Sequence, residues 1–336
     1  MMQTRKQADE FFMRRAIQLA RLGLGNTAPN PCVGSVIVHN NIIIGEGFHQ
    51  KYGTPHAEVN AVNAVQSEHR HLLPESTIYV TLEPCHHYGK TPPCVDLILA
   101  KKIKRVVIGC EDPNPKVGGK SIKKLRNHGV EVTVNVLEKA CWEVAQRFMT
   151  FFNKKRPYII LKYAQSTDGF IGRKDRQVWI TGSQSKRLVH KWRHEEAAIL
   201  VGTNTVIIDN PTLTNRFWFG SQPLRLTIDT SRRLSFDMNI FNQDAPSKVF
   251  ETSNLPLILK ELYDLKINSL LVEGGATLLN SFIEQNLWDE ARIFTGNKPL
   301  KEGINAPQFP HKEVEVKTIG NDILKIYKNK NAASLV

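Results

Sequence analysis

Between residues 8 and 23 the apolar positions Phe12, Ala16, Leu19 and Ala20 recur three or four residues apart, the spacing of one face of a helix. A polar, proline-containing stretch, Asn26 to Pro31, breaks that pattern. Two β-branched runs follow, 33–38 and 42–45, separated by His39-Asn40-Asn41, which reads as a hairpin. Helical and extended patterns then alternate: a helix over 56–65, a strand over 77–81, a helix over 93–101, a strand over 105–109, a helix over 121–128 stopped by Gly129, and a strand over 130–134. This succession predicts a layered α/β domain whose later strands pair in parallel.

Residues 137–152 have helical spacing, and Asn153-Lys154-Lys155-Arg156-Pro157 interrupts it. The alternation then restarts: strand 158–163, helix 183–195, strand 197–201, a helix near 203–208, strands 224–229 and 269–272, helix 276–286, strand 290–295 and a closing strand 322–328. A boundary near residue 150 is predicted, giving domains 1–150 and 151–336. For 336 residues, two domains also match the usual domain size.

Composition changes little in this picture. Apolar residues make up 41% and charged residues 23%, ordinary for a globular protein. No apolar run reaches the roughly 18 residues that a membrane helix needs, so no membrane partner is predicted. The first twenty residues lack an apolar core of signal-peptide type, and the cytoplasm is the expected location. A formal net charge of +13 raises nucleic-acid binding. The cations are scattered, however, with Lys154-Lys155-Arg156 the longest cluster. That scatter favours small anionic ligands and predicts no nucleic-acid partner. Five cysteines are an odd set for a disulfide framework and point instead to reduced thiols, some of them on a metal.

The chemistry concentrates at His56-Ala57-Glu58, which opens a predicted helix, and at Pro84-Cys85 and Cys94, which flank the next strand-to-helix passage. One imidazole and two thiolates give Zn²⁺ three protein ligands and leave a fourth position for water, the arrangement of a catalytic site. Glu58, two residues from the ligand histidine, is free to move protons as the catalytic acid–base. His-x-Glu followed by Pro-Cys and a second Cys is the pattern of zinc nucleobase deaminases. Those enzymes usually place two residues between the cysteines; here eight intervene. His86 and His87 lie in that loop and are expected to face substrate or solvent. Cys32, Cys110 and Cys141 have no partner at ligand spacing and read as small buried apolar residues.

Taken together, the runs Asn30-Pro31, Val33-Gly34, 45–49, 55–58, 81–85, 89–94 and 112–115 resemble the deaminase half of the bifunctional riboflavin-biosynthesis deaminase/reductase family. The eight-residue loop ending in Thr91-Pro92-Pro93-Cys94 is the specific part of the likeness. The resemblance implies a cytidine-deaminase-like three-layer α/β/α domain that binds one zinc per chain. It further implies hydrolysis of the 2-amino group of 2,5-diamino-6-ribosylamino-4(3H)-pyrimidinone 5′-phosphate. The chain departs from the family's usual Ser-His-His-Gly-Arg with His86-His87-Tyr88-Gly89-Lys90, and Val117-Gly118-Gly119-Lys120-Ser121 is a milder departure.

In the second half, Glu273-Gly274-Gly275-Ala276-Thr277 joins a predicted strand to a predicted helix. By itself this is equally a tight turn or a phosphate cradle. The runs 162–169, 179–182, 190–193, 198–202, 209–214 and 273–275 resemble the reductase half of the same family. The likeness implies a dihydrofolate-reductase-like α/β domain using NADPH. Carried over by position, Ala164, Trp179, Thr205, Asp209, Thr230, Gly275, Ala276, Thr277, Leu278, Leu279, Asn280 and Ser281 are expected to contact the cofactor. Gln177, Arg193, Leu213, Arg216 and Glu273 are expected to contact the substrate. Gln177 stands where the family often has Ser, and Asp209-Asn210-Pro211 where it often has Asp-Asp-Pro. The family's homodimers or tetramers imply a homo-oligomer here. Two competing readings remain at this level: a tRNA base deaminase with a C-terminal RNA-binding module, and a zinc-stabilised scaffold without activity.

Overall fold

A computed structural model describes residues 4–86, 88, 92–114, 118–309 and 311–335. The chain divides into two compact units, Met1–Asn153 and Lys154–Val336.

The first unit opens with α1 (Arg5–Arg21), started by a capping box between Thr4 and Gln7. β1 (Gly34–His39), β2 (Ile42–Phe48), α2 (Ala57–Asn63), β3 (Thr77–Leu82), α3 (Cys94–Ala100), β4 (Arg105–Cys110), α4 (Lys120–Asn127), β5 (Glu131–Thr133) and α5 (Glu138–Val144) follow. The five strands form one sheet in the order β2-β1-β3-β4-β5. The β1–β2 hairpin and the β1–β3 pair are antiparallel, whereas β3–β4 and β4–β5 are parallel. Alternation along the strands splits the core between two faces. Phe12, Met13, Ala16 and Ile17 of α1 pack with Val36, Tyr79 and Val107 on one face. Ala61, Val95, Ile98 and Leu125 from α2, α3 and α4 pack with Ile37, Ile78, Val80 and Ile108 on the other. This is the three-layer α/β/α arrangement. Asp9, buried in α1, takes a two-pronged ion pair from Arg105 at 2.8 and 2.7 Å and the Tyr79 hydroxyl at 3.0 Å.

The helix expected over 137–152 is instead two, α5 and α6 (Gln146–Lys154), broken at Ala145. Cys141 and Ala145 are both buried against the sheet, and the chain bends there to keep Phe148 and Met149 on the same core.

The second unit contains β6 (Tyr158–Gln165), β7 (Phe170–Gly172), α7 (Ser183–Glu195), β8 (Ala198–Gly202), α8 (Thr203–Asp209), β9 (Leu224–Ile228), β10 (Ser247–Phe250), α9 (Leu255–Asp264), β11 (Ser269–Val272), α10 (Ala276–Glu284), β12 (Glu290–Thr295), β13 (Ile304–Asn305), β14 (Glu315–Ile319) and β15 (Asp322–Lys328). Eight strands form one sheet, β10-β9-β8-β11-β6-β12-β15-β14, parallel from β10 through β12 and antiparallel at the β15–β14 edge. α9 and α10 cover one face with Ile258, Leu262, Leu279 and Phe282; α7 covers the other with Val189 and Trp192. Asp322 of β15 fixes the start of α7 by accepting from Gly182 N–H at 2.8 Å and the Ser185 hydroxyl at 2.6 Å. Arg225 on β9 is fully buried and spends its guanidinium on backbone carbonyls of Thr212, Asn239, Asn242 and Ala245. It thereby ties the loop after α8 to the sheet.

Candidate active sites

In the first unit, β3 ends at Leu82 and the chain turns through Pro84-Cys85, while α2 and α3 both begin at the same end of the sheet. His56 is the residue before α2 and Cys94 the first residue of α3. His56 Nδ1 lies 3.5 Å from Cys85 Sγ and 3.4 Å from Cys94 Sγ, and the three atoms are all within 4.8 Å of one another. A tetrahedral ion with bonds of roughly 2.3 Å to sulfur and 2.0 Å to nitrogen sets a sulfur and a nitrogen about 3.5 Å apart. The donor set therefore fits zinc in both identity and spacing.

The thiols are already polarised for metal. A hydrogen bond from the Cys94 thiol, with another from His56, pulls Cys85 down to about 4 against the opposing effect of burial. The Cys94 backbone N–H adds a 3.1 Å contact to the same sulfur. Cys94, the proton donor in that pair, is held well above its ordinary range. Glu58 lies in the first turn of α2 and is buried, which pushes its carboxyl up to about 7 with help from the Cys85 thiolate. A carboxyl so placed exchanges its proton near neutrality.

Supporting groups hold the ligand histidine. The His49 ring packs edge-on to His56 at 5.3 Å between centroids. His49 Nδ1 donates to the Pro55 carbonyl at 3.2 Å, so its Nε2 accepts from the Asn30 amide, also at 3.2 Å. That tautomer is neutral, and burial lowers the His49 pKa accordingly. Cys32, Cys110 and Cys141 are buried, in no disulfide and outside the three-ligand group. His86 is half-buried, its Nδ1 without a hydrogen-bond partner among the described residues, and Tyr88 is exposed. His87, Gly89, Lys90, Thr91 and Val117 lie outside the described residues.

Sequence reasoning missed Glu83. Its buried carboxylate accepts backbone N–H groups from Asp112 (3.3 Å), Gly119 (2.9 Å), Ser121 (3.1 Å) and Ile122 (3.4 Å). Negative charge at the N-terminus of α4 is favourable, and the side chain anchors the turn that carries Cys85 two residues on. Glu83→Ala leaves these buried donors unpaired. It should destabilise the first unit by about 3 kcal/mol and weaken zinc retention. Thermal unfolding and zinc content after dialysis measure both effects, and an unchanged melting curve would contradict the anchoring role.

In the second unit, a cavity of about 540 Å³ opens at the ends of β6, β8 and β11, within the size range of small-molecule sites. Ala164, Trp179, Thr205, Asp209 and Gly275 of the expected cofactor set line it. All five expected substrate residues, Gln177, Arg193, Leu213, Arg216 and Glu273, line it as well. The rest are placed differently. Thr230 is exposed just beyond β9 and is outside the lining. Leu279 is fully buried in the α10 core and Leu278 nearly so, because the helical period turns these side chains toward the sheet. Ala276, Thr277, Asn280 and Ser281 follow on α10 outside the lining, with the Ser281 hydroxyl returned to the Thr277 carbonyl at 3.0 Å.

The turn before α10 is tight. A side chain at Gly274 would meet Leu278 Cδ2 at 2.6 Å and Gly202 N at 3.2 Å, so it would have to displace Leu278 and crowd the β8 backbone. Gly275 N–H donates to Thr205 Oγ1 at 3.1 Å. Glu273 is the anionic centre of the cavity. Arg193 grips it through Nε at 2.9 Å and Nη2 at 3.0 Å, and Lys162 Nζ approaches at 3.4 Å. Burial alone would raise this carboxyl, but Arg193 and Lys162 hold it down to about 2. Lys162 and its partnership with Glu273 were not singled out from sequence.

The fold and sites define a class: a zinc-deaminase-type domain joined to a reductase-type α/β domain. The family model "Cytidine and deoxycytidylate deaminase zinc-binding region" matches residues 6–110, and "RibD C-terminal domain" matches residues 157–325. The riboflavin biosynthesis protein RibD of Aquifex aeolicus is 37% identical, covering 96% of this chain and 99% of its own length. That of Escherichia coli is 32% identical, with 94% and 98% covered. A crystal structure of a diaminohydroxyphosphoribosylaminopyrimidine deaminase/5-amino-6-(5-phosphoribosylamino)uracil reductase from Thermotoga maritima matches with a TM-score of 0.89 at 37% identity, covering 97% and 99% of the two chains. The chain belongs to the RibD family of bifunctional deaminase/reductases of riboflavin biosynthesis, with a zinc-binding deaminase domain and an NADPH-dependent reductase domain. Among the described residues no helix is long and apolar enough to cross a membrane.

Proposed function

We propose that the first unit deaminates the 2-position of 2,5-diamino-6-ribosylamino-4(3H)-pyrimidinone 5′-phosphate, and that the second reduces the ribosyl group of the product to ribityl with NADPH. The observation that carries the first step is the His56–Cys85–Cys94 cluster with Glu58 buried beside it. His56, Cys85 and Cys94 would hold the metal; zinc bound there supplies a water acidified toward neutrality. Glu58 would carry two protons in turn, the first from the attacking water to the ring nitrogen and the second from the resulting hydroxyl to the amino group that leaves as ammonia. The surrounding apolar core keeps that carboxyl from bulk water.

In the second unit, Ala164, Trp179, Thr205, Asp209 and Gly275 hold the NADPH. Thr230, Ala276, Thr277, Asn280 and Ser281 take part from the cavity's edge, with Leu278 and Leu279 left in the core. Bound there, NADPH supplies the hydride. Gln177, Arg193, Leu213, Arg216 and Glu273 orient the sugar phosphate toward it. The protein acts as a homo-oligomer in the cytoplasm on a small phosphorylated pyrimidine. Ammonia release from that pyrimidine and the following NADPH oxidation test this reading together. Activity only on tRNA would replace it with a nucleic-acid deaminase.

A further inference from the structure

One wall of the cavity in the second unit is held almost wholly from outside itself. Gln177, Val178, Trp179, Ile180 and Thr181 run along it, and among the described residues their main chain makes no hydrogen bond to another backbone group. Upstream, the stretch is fixed at Arg173, whose guanidinium meets Glu302 at 2.6 Å and the Leu300 carbonyl at 3.2 Å. Downstream, it is fixed where α7 begins.

That helix start lacks a local cap. The residue before α7 is Gly182, which has no side chain to accept from the first turn, and the first turn carries no acidic residue. The leading N–H groups of a helix have no partner within it and need an outside acceptor. Asp322 supplies one from β15. Its Oδ2 accepts from Gly182 N–H at 2.8 Å and from the Ser185 hydroxyl at 2.6 Å. A carboxylate at this end of a helix is favourable in charge as well as in geometry. Asp322 is 2% exposed and is not part of the cavity lining. A second contact guides the wall: Gly296, just past β12, lies so close to the Ile180 carbonyl that a side chain there would collide with it. β12 and β15 are paired neighbours, so two adjacent strand ends set the path of the wall, one at Ile180 and one at Gly182.

We propose that Asp322 is a positioning residue for the reduction: by holding Gly182 and Ser185, it sets the path of residues 177–181 and so the placement of Trp179 and Gln177 against cofactor and substrate. The inference rests on the reading of this cavity as the reductase site. A segment without backbone hydrogen bonds of its own samples several paths once its end is released. Apparent affinity then falls in proportion to the fraction of molecules that keep the binding path. The effect belongs to binding and not to hydride transfer, because bound ligands hold the wall in place.

The test compares full-length Asp322→Ala, Asp322→Asn and Ser185→Ala with the parent. Asp322→Ala should raise the KM for NADPH and for the deaminated pyrimidine about tenfold each, with kcat within about twofold. Asp322→Asn keeps an acceptor oxygen for Gly182 N–H and should bring both constants back to within about threefold of the parent. Ser185→Ala removes one of the two contacts and should raise them about threefold. Trypsin reads the wall without turnover. Lys174 and Arg176 are exposed in the same stretch, and cleavage after them should be about tenfold faster in Asp322→Ala and near the parent rate in Asp322→Asn. A fall in kcat at constant KM, failure of Asp322→Asn to restore binding, or unchanged constants in Asp322→Ala overturns the proposal. Should Asp322→Ala not fold, Ser185→Ala decides, and unchanged constants there overturn it. Should the parent reduce nothing, the reductase reading fails instead; cleavage then decides the positioning role, and equal rates in parent and Asp322→Ala overturn it.

Discussion

Glu58→Gln should lower the rate of ammonia release about a thousandfold while leaving zinc content and NADPH-dependent reduction of the deaminated intermediate within about twofold of the parent. The reasoning is geometric. Glu58 is buried beside the three ligand atoms and is not one of the three, so its amide keeps the shape of the site. An amide cannot accept a proton from water or hand one to a ring nitrogen. The reductase cavity is lined entirely by residues of the second unit, from Lys162 onward, so nothing in it changes. Stopped-flow ammonia detection, zinc analysis and NADPH absorbance measure the three quantities separately. Loss of zinc along with activity would turn Glu58 into a structural residue, and loss of both activities in a folded protein would contradict two independent sites.

Much of this was legible in the chain because it depends on short spacings. His56, Glu58, Cys85 and Cys94 announce themselves by residue type and by their positions at strand-to-helix junctions, and the structure brings the three ligands within bonding reach of one point. The expected substrate residues likewise meet in one cavity. What escaped falls into two kinds. α9 carried local signals that went unread: the Asn254 cap accepting from Leu257 N–H, Pro256 in the first turn, and Leu255, Ile258, Leu259 and Leu262 at helical spacing. Edge strand β14 had no such signal, since it is mostly exposed and its side chains read as loop. The second kind is tertiary. Lys186, His190 and Arg193 share one face of α7 by their spacing, yet only the fold shows that Arg193 is bound to Glu273 and that the other two are not. Glu83 was a letter in a motif until α4 was seen to begin on its carboxylate. The cofactor run from Gly275 to Ser281 was treated as one strip; the helix turns Leu278 and Leu279 into the core, which position in a sequence does not reveal.

Removing the partner of Glu273 should have the largest effect on the second unit. Arg193→Ala takes away the two shortest contacts to a buried carboxylate and leaves Lys162, at 3.4 Å, as the remaining cation on it. A buried pair broken on one side costs about 3 kcal/mol or more, because the surviving charge is uncompensated. The Thr214 carbonyl also loses its donor, which loosens the loop bearing Leu213 and Arg216. Reductase kcat/KM should therefore fall about a hundredfold, with deamination unchanged. The pH dependence carries the sign. In the parent, the Glu273 carboxyl is held down to about 2, below its value in the unfolded chain. Its contribution to stability is thus complete above about pH 4.5 and is lost as pH falls toward 2. In Arg193→Ala the burial penalty is opposed only by Lys162, so the folded-state value rises and that acid-side loss shrinks or reverses. Chemical denaturation at pH 7, 5 and 3.5 reads this directly. The decisive comparison is the double variant Arg193→Ala/Glu273→Gln, which removes the stranded charge and should be more stable at pH 7 than Arg193→Ala alone. If the double variant is instead the less stable of the two, the instability comes from lost packing around Arg193, and the carboxylate is not the centre that organises this cavity.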